Sequence, residues 1–309
     1  MIATFQSTSR VLMIRPKNFG YNPLTAESNA FQQTLSELTP EEVQQQAVKE
    51  FDTFVEILRE AGIAVIVIED RISPVTPDAI FPNNWISFHR QGKIILYPMM
   101  APNRRNEVRK DIPAFFQKEN ENIRVVDFSP LATEGKFLEG TGSMIMDRAH
   151  NLVYACMSDR THEHVFDLFC QQIGCDGIFF HSVDRGGHPI YHTNVMMALG
   201  THFVIICEES IHDIEEREAL HISFTRTGHE VIPISHDQVA QFAGNMLEVM
   251  NEKGEHYIVM SKRAHDSLSE EQIRTLEKYG RLLVIPIDII EVYGGGSVRC
   301  MMAEVFLPS

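Results

Sequence analysis

Apolar residues in this chain recur in short blocks separated by polar and helical stretches, and the blocks follow a common order. Pairs of strand-like segments, rich in β-branched and aliphatic side chains, begin near Trp85 (WISFH, then KIILYPM), Ser143 (SMIMD, then NLVYACM), Val195 (VMMALG, then HFVIICE) and Met246 (MLEVM, then HYIVMS). A helical pattern follows each pair, at Asn106–Gln117, Thr161–Ile173, Ile211–Thr227 and Ser269–Tyr279. A third apolar strand closes each unit: IRVVDF, GIFFHS, EVIPIS and LLVIPID. The period is roughly 50 residues, in the range of repeat architectures.

A fifth unit is divided between the two ends of the sequence. Val298–Leu307 (VRCMMAEVFL) reads as a strand with no partner after it, while Val11–Arg15 (VLMIR), a helix from about Glu41 to Ala61 and the strand AVIVIE supply what is missing. Pairing the first strand with the last would leave the sheet system without open edges. We therefore expect one α/β domain over residues 1–309, built of five units, its N- and C-terminal strands closing a ring. Asn18–Pro40 is polar, proline-bearing and without periodicity, which marks it as a candidate lid.

The 309 residues are 44% hydrophobic and 22% charged, as in soluble globular proteins, and no apolar run is long enough to span a bilayer. The first ten residues lack a basic segment followed by an apolar one, so no secretory signal is expected and a cytoplasmic location is. Five cysteines, Cys156, Cys170, Cys175, Cys207 and Cys300, are scattered without disulfide or metal spacing. A net charge of −15 without a basic stripe disfavours nucleic acid as a partner. The composition is compatible with a homo-oligomer.

An unusual polar group stands at the start of each unit's first strand: Asn83-Asn84, Glu139, His192, Asn245 and Cys300. In a ring of equivalent units these positions converge, bringing together a thiol, an imidazole, a carboxylate and several amides. Such a set can make a nucleophile with its base and orienter. Cysteine attacks as a thiolate, a nearby cationic imidazole favours that form, and a carboxylate such as Glu139 would hold the ring and favour its charge. A lone cysteine near a terminus is ordinarily core, and the shared repeat position is what singles out Cys300. Gly140-Thr141-Gly142 lacks the third glycine of a dinucleotide loop. His188 with His192, and His162 with His164, lack carboxylate ligands at suitable spacing, so neither a metal nor an organic cofactor is expected. Arg is the residue suited to a substrate carboxylate, because its planar fork matches that group.

These residues resemble the guanidino-group-modifying, or pentein, superfamily of arginine deiminases, dimethylarginine dimethylaminohydrolases and amidinotransferases, and are most similar to the citrulline-utilisation hydrolase branch. The resemblance spans essentially the whole chain. Leu138-Glu139-Gly140, Tyr191-His192 and Ser297-Val298-Arg299-Cys300 are similar to its acidic, histidine and nucleophile motifs. Ala101-Pro102-Asn103-Arg104-Arg105 and Ser158-Asp159-Arg160-Thr161 are similar to segments giving the two arginines that bind a substrate carboxylate. The resemblance implies a five-bladed, pseudo-fivefold α/β propeller, catalysis by Cys300, His192 and Glu139, a covalent thiouronium-type intermediate, and no cofactor.

The departures bear on substrate. Where deiminases and dimethylarginases place a carboxylate for the guanidinium, this chain has Phe81-Pro82-Asn83-Asn84; where deiminases have an aspartate two residues after the histidine, it has Asn194; and Gly142 replaces a common aspartate. A guanidinium offers only donors, whereas a ureido group presents an acceptor beside donors, which Asn can complement. The expected substrate is accordingly a small amino acid with a ureido group, citrulline, hydrolysed to ornithine, with Asn83, Asn84, Arg104, Arg160, Asn194 and Asn245 binding it. Arginine deiminase or dimethylarginase-type activity, and a non-catalytic amino-acid-binding role, are the alternatives.

Overall fold

The computed structural model of the protein describes residues 5–26, 29, 31–34 and 38–308. Among these, the strands form five three-stranded sheets of one topology. Strands β1 (Arg10–Arg15) and β2 (Ala64–Glu69) pair in parallel through the intervening helix Pro40–Glu60. The next sheet has β3 (Ile86–His89) antiparallel to β4 (Lys93–Leu96), and β4 parallel to β5 (Arg124–Asp127). The same hairpin, helix and parallel strand recur in β6 (Ile145–Asp147), β7 (Leu152–Cys156) and β8 (Asp176–Phe180), then in β9 (Met197–Leu199), β10 (Phe203–Ile206) and β11 (Glu230–Pro233). They recur once more in β12 (Leu247–Met250), β13 (His256–Ser261) and β14 (Arg281–Ile285). The last strand, β15 (Ala303–Glu304), is antiparallel to β1, with Val11 opposite Glu304 and Leu12 opposite Ala303. Chain start and chain end thus complete the fifth sheet together.

Each helix lies where its pattern places it, with shifted bounds. Pro40–Glu60 buries Val43, Ala47, Phe51, Phe54, Val55 and Leu58, a stripe at helical spacing. Thr39 caps it, accepting from the Glu42 amide at 3.3 Å while Glu42 accepts from the Thr39 amide at 2.8 Å. The helix expected from Asn106 starts only at Asp111, because Arg104–Glu107 forms a tighter 3-10 turn first. That expected at Ser269–Tyr279 occupies Glu270–Glu277 behind a separate helix, Lys262–Ser267. No helix among the described residues is long and apolar enough to cross a membrane.

The expected strand starts are where the structure differs most. Positions 82–84, 140–143 and 193–196 are single helical turns, and Asn245 and Cys300 also sit in turns, closed by the bonds Asn245 N–H to Phe242 O (2.8 Å) and Cys300 N–H to Ser297 O (2.9 Å). Each first strand is consequently shorter than its apolar pattern, and Val298–Leu307 contributes only Ala303–Glu304. The pattern could not separate buried turn from strand, because both bury every residue here.

Candidate active site

The five turns that precede the first strands hold the candidate residues, and a turn throws adjacent side chains onto different sides. That geometry separates Asn83 from Asn84. Both are buried, but Asn84 lines a narrow cavity with His192, Cys300, Asp78, Arg104 and Arg160, whereas Asn83 is off its wall with neither amide atom bonded. The 18–40 segment crosses this cavity: Thr25 and Asn29 line it, and Asn29 Nδ2 donates to the Gly295 carbonyl at 3.2 Å. Positions 27, 28, 30 and 35–37 of the candidate lid lie outside the described residues. The free space is about 20 Å³, less than an amino acid occupies.

Glu139 is fully buried behind the imidazole. Its Oε2 is 2.8 Å from His192 Nε2, 3.5 Å from Arg160 Nη1 and 3.9 Å from Arg104 Nη1, and its Oε1 accepts from the Met100 amide at 3.0 Å. Burial pushes the carboxyl up, but Arg160, His192 and Arg104 outweigh it and hold Glu139 below the usual range. His192 goes the other way from the expected cation. Burial lowers it to about 4 against the raising effect of Glu139, so the imidazole is neutral near pH 7.

Around the sulfur stand two amides. Asn194 Nδ2 is 3.5 Å and Asn245 Nδ2 3.4 Å from Cys300 Sγ. Asn245 also ties the turns together, donating to the Asn194 carbonyl at 2.9 Å and accepting from the Arg299 amide at 3.1 Å. Both amides pack against the sulfur, and neither is on the cavity wall itself. Asn194 Oδ1 is buried and unbonded.

Arg104 is engaged within the protein. Its Nε and Nη2 bind Glu107 at 3.0 and 2.9 Å, and Nη1 donates to Asn84 Oδ1 at 3.1 Å. Since arginine only donates, Asn84 must turn its oxygen to Arg104, which leaves its Nδ2 buried without an acceptor. Arg160 lies over the Tyr191 ring at 4.8 Å and its Nη2 donates to the Thr25 carbonyl at 3.4 Å.

Asp78 joins the site without standing at any of the repeat positions. It is buried on the cavity wall; Oδ2 accepts from Asn22 Nδ2 at 2.6 Å and Thr25 Oγ1 at 3.3 Å, while Oδ1 has no partner. Burial raises its pKa, opposed by Arg104. The pocket therefore retains a carboxylate despite the amides at Asn84 and Asn194. No period or spacing marks Asp78; the one signal is an acid directly before the apolar run Ala79-Ile80-Phe81.

A model of the family described as N,N dimethylarginine dimethylhydrolase, eukaryotic, matches residues 15–307. The chain belongs to that family. Its resemblance to the pentein-fold guanidino-modifying enzymes holds at the level of structure too. The N-terminal domain of ArgZ bound to substrate, described as an arginine dihydrolase from the ornithine-ammonia cycle in cyanobacteria, is 16% identical with a TM-score of 0.74, covering 97% of this chain and 98% of that one. AgrE in complex with L-arginine is 16% identical with a TM-score of 0.72, covering 97% of this chain and 40% of that one. Dimethylarginine dimethylaminohydrolase in adduct with S-methyl-L-thiocitrulline is 12% identical with a TM-score of 0.65, covering 96% and 99%. At such identities the likeness is one of fold. No curated protein matches the chain.

Gly142 stands where a side chain has no room. A Cβ there would lie 2.4 Å from Asn84 Nδ2 and 2.8 Å from His192 Nδ1, and Gly140, at φ +49°, would put one 2.2 Å from the Asn83 carbonyl. Gly142→Ala is expected to destabilise the protein by about 1–3 kcal/mol, as overpacking does. Urea unfolding measures this, and an unchanged midpoint would mean the turn has room for a side chain.

Proposed function

We propose that this protein is a cysteine-dependent hydrolase acting on the ureido carbon of citrulline, with ornithine as product. The observation that carries this reading is the unbonded buried nitrogen Asn84 Nδ2, a donor on a residue of the cavity wall beside His192. A ureido oxygen accepts from it. A guanidinium would set its own N–H against Asn84 Nδ2, with no acceptor available there.

In this reading His192 takes the Cys300 proton, and the sulfur attacks the ureido carbon. The tetrahedral adduct collapses with cleavage of the bond to the side-chain nitrogen, which takes a proton from His192 and leaves as the amine of ornithine. Water then attacks the carbamoyl thioester with His192 as base. The thiol is restored, and the carbamate released breaks down to ammonia and carbon dioxide. Glu139 fixes the imidazole, and Asn194 and Asn245 donate to the sulfur while it carries charge. Arg160 binds the substrate carboxylate and Asp78 Oδ1 its ammonium. Arg104 acts through Asn84, since its fork is already taken by Glu107. The whole chain acts as a single catalytic domain, with the five sheets arranged as a propeller closed through β1 and β15, working in the cytoplasm on a small-molecule substrate.

A second reading, hydrolysis of arginine or a methylated arginine, is favoured by Asp78, whose unbonded oxygen would accept from a guanidinium. Turnover by purified protein decides between them. Citrulline is expected to give the higher kcat/KM, and Cys300→Ala to abolish turnover while still binding substrate; faster arginine turnover would reject the ureido assignment. The neutral state of His192 also fixes a pH dependence. A base lowered to about 4 stays unprotonated well below its ordinary value, so kcat/KM should hold level from about pH 7 to about pH 5.5 and fall only as pH approaches that pKa. A fall with a midpoint near about 6.5 would contradict the buried, neutral imidazole.

A further inference from the structure

The strands that begin at the active-site turns end at a second charged cluster. Arg90 follows β3 directly, Arg148 follows β6, and Glu304 ends β15. The two arginines share one aromatic ring, with the Arg148 guanidinium carbon 4.0 Å and that of Arg90 5.1 Å from the centre of Phe306. Both arginines have Glu304 as their nearby carboxylate, and it is already committed. Arg299 Nη2 binds its Oε2 at 2.9 Å, leaving Arg148 Nε 3.7 Å from its Oε1. Three guanidinium groups thus gather around a single acid.

The shortage of negative charge shows in the arginines themselves. Arg90 Nη2 is buried with no acceptor. Burial lowers the pKa of both Arg90 and Arg148, and they repel: Arg148 lowers Arg90, Arg299 lowers Arg148, and Glu304 raises both. Nearby His89 is held well below its usual range by burial and by Arg148, so it adds no charge. Three guanidinium groups sharing one carboxylate leave an excess of positive charge in a partly buried place, which an anion would offset.

Beside the cluster is a cavity of about 270 Å³, lined by His89, Arg90, Met146, Arg148, Leu152 and Ile173. Asp147 touches it too, but its carboxylate is fully buried and bonded to His150 Nδ1 at 2.9 and 2.8 Å through its two oxygens. Gln91 and Asn151, both exposed, stand at the opening. The space exceeds an inorganic ion, and its apolar side chains suit a short hydrocarbon portion.

We propose that this cavity, at the opposite ends of the strands from Cys300, binds a small organic oxyanion, a carboxylate or phosphate ester, through Arg90 and Arg148. Arg90 and Arg148 both line the cavity, and Glu304, shared with Arg299, only partly balances their charge. The site is separate from the proposed chemistry and does not depend on it.

The test is thermal unfolding against inorganic phosphate and, separately, butyrate, at ionic strength held constant with sodium chloride. The midpoint is expected to rise with at least one of them, in the wild type and in Arg160→Gln alike. Arg90→Gln should weaken the apparent affinity at least about tenfold, the value of one lost charge-assisted hydrogen bond. Arg148→Gln, the second variant, should lose the response as well. A rise with phosphate alone assigns the site to phosphate esters, and a rise with butyrate alone to carboxylates. No rise with either anion in the wild type would overturn the proposal. So would a rise that survives in Arg90→Gln but disappears in Arg160→Gln, because that places the anion in the active-site pocket.

Discussion

The hydrogen bond from Arg104 to Asn84 fixes the orientation of one buried amide on the pocket wall, and the proposed substrate preference rests on it. Arg104 has no acceptor to offer, and Glu107 holds its fork in place, so the Asn84 oxygen is drawn to the guanidinium and the amide nitrogen is left over. The arrangement is expensive to disturb, since each member is buried and charged or hydrogen-bonded. The arginine that the family resemblance implies for substrate carboxylate recognition is instead bonded to Glu107 and Asn84. The pocket's polarity then follows from fixed donors and acceptors more than from net charge, although Asp78 and Glu139 keep it from being charge-free.

The fold makes this possible by repetition. Five sheets of one topology each enter through a turn, and the turns carry Asn84, Glu139, His192, Asn245 and Cys300. Antiparallel pairing of β15 with β1 holds the Cys300 turn against a strand some 290 residues earlier, so the thiol is positioned by contacts of long sequence separation. Asn245 binds both the Asn194 carbonyl and the Arg299 amide, which joins three turns around the sulfur. The first strands carry a second consequence at their far ends, where Arg90 and Arg148 crowd a single acid.

Much of this could be read from the residues, for definite reasons. The hairpin, helix and strand order was visible because each parallel strand and each helix keeps its own period, and the divided fifth unit because its halves lie at opposite ends of the sequence. The polar residues at equivalent repeat positions were visible for the same reason. What was not visible depends on three-dimensional packing. The turns at 82–84, 140–143 and 193–196 look like strands when every position is buried. The expected imidazolium ignored burial, which outweighs Glu139 at His192. Asp78 stands outside any repeat position, and the role of Arg104 turns on Glu107, three residues on, whose contact no motif records.

If the Asn84 amide selects a ureido group by presenting a donor, Asn84→Asp, which replaces that donor with an acceptor of nearly the same shape, should reverse the preference. The ratio of kcat/KM for citrulline to that for arginine should fall by at least about tenfold in the variant, the cost of one mismatched buried hydrogen bond. A ratio unchanged from the wild type would mean that Asn84 does not select the substrate.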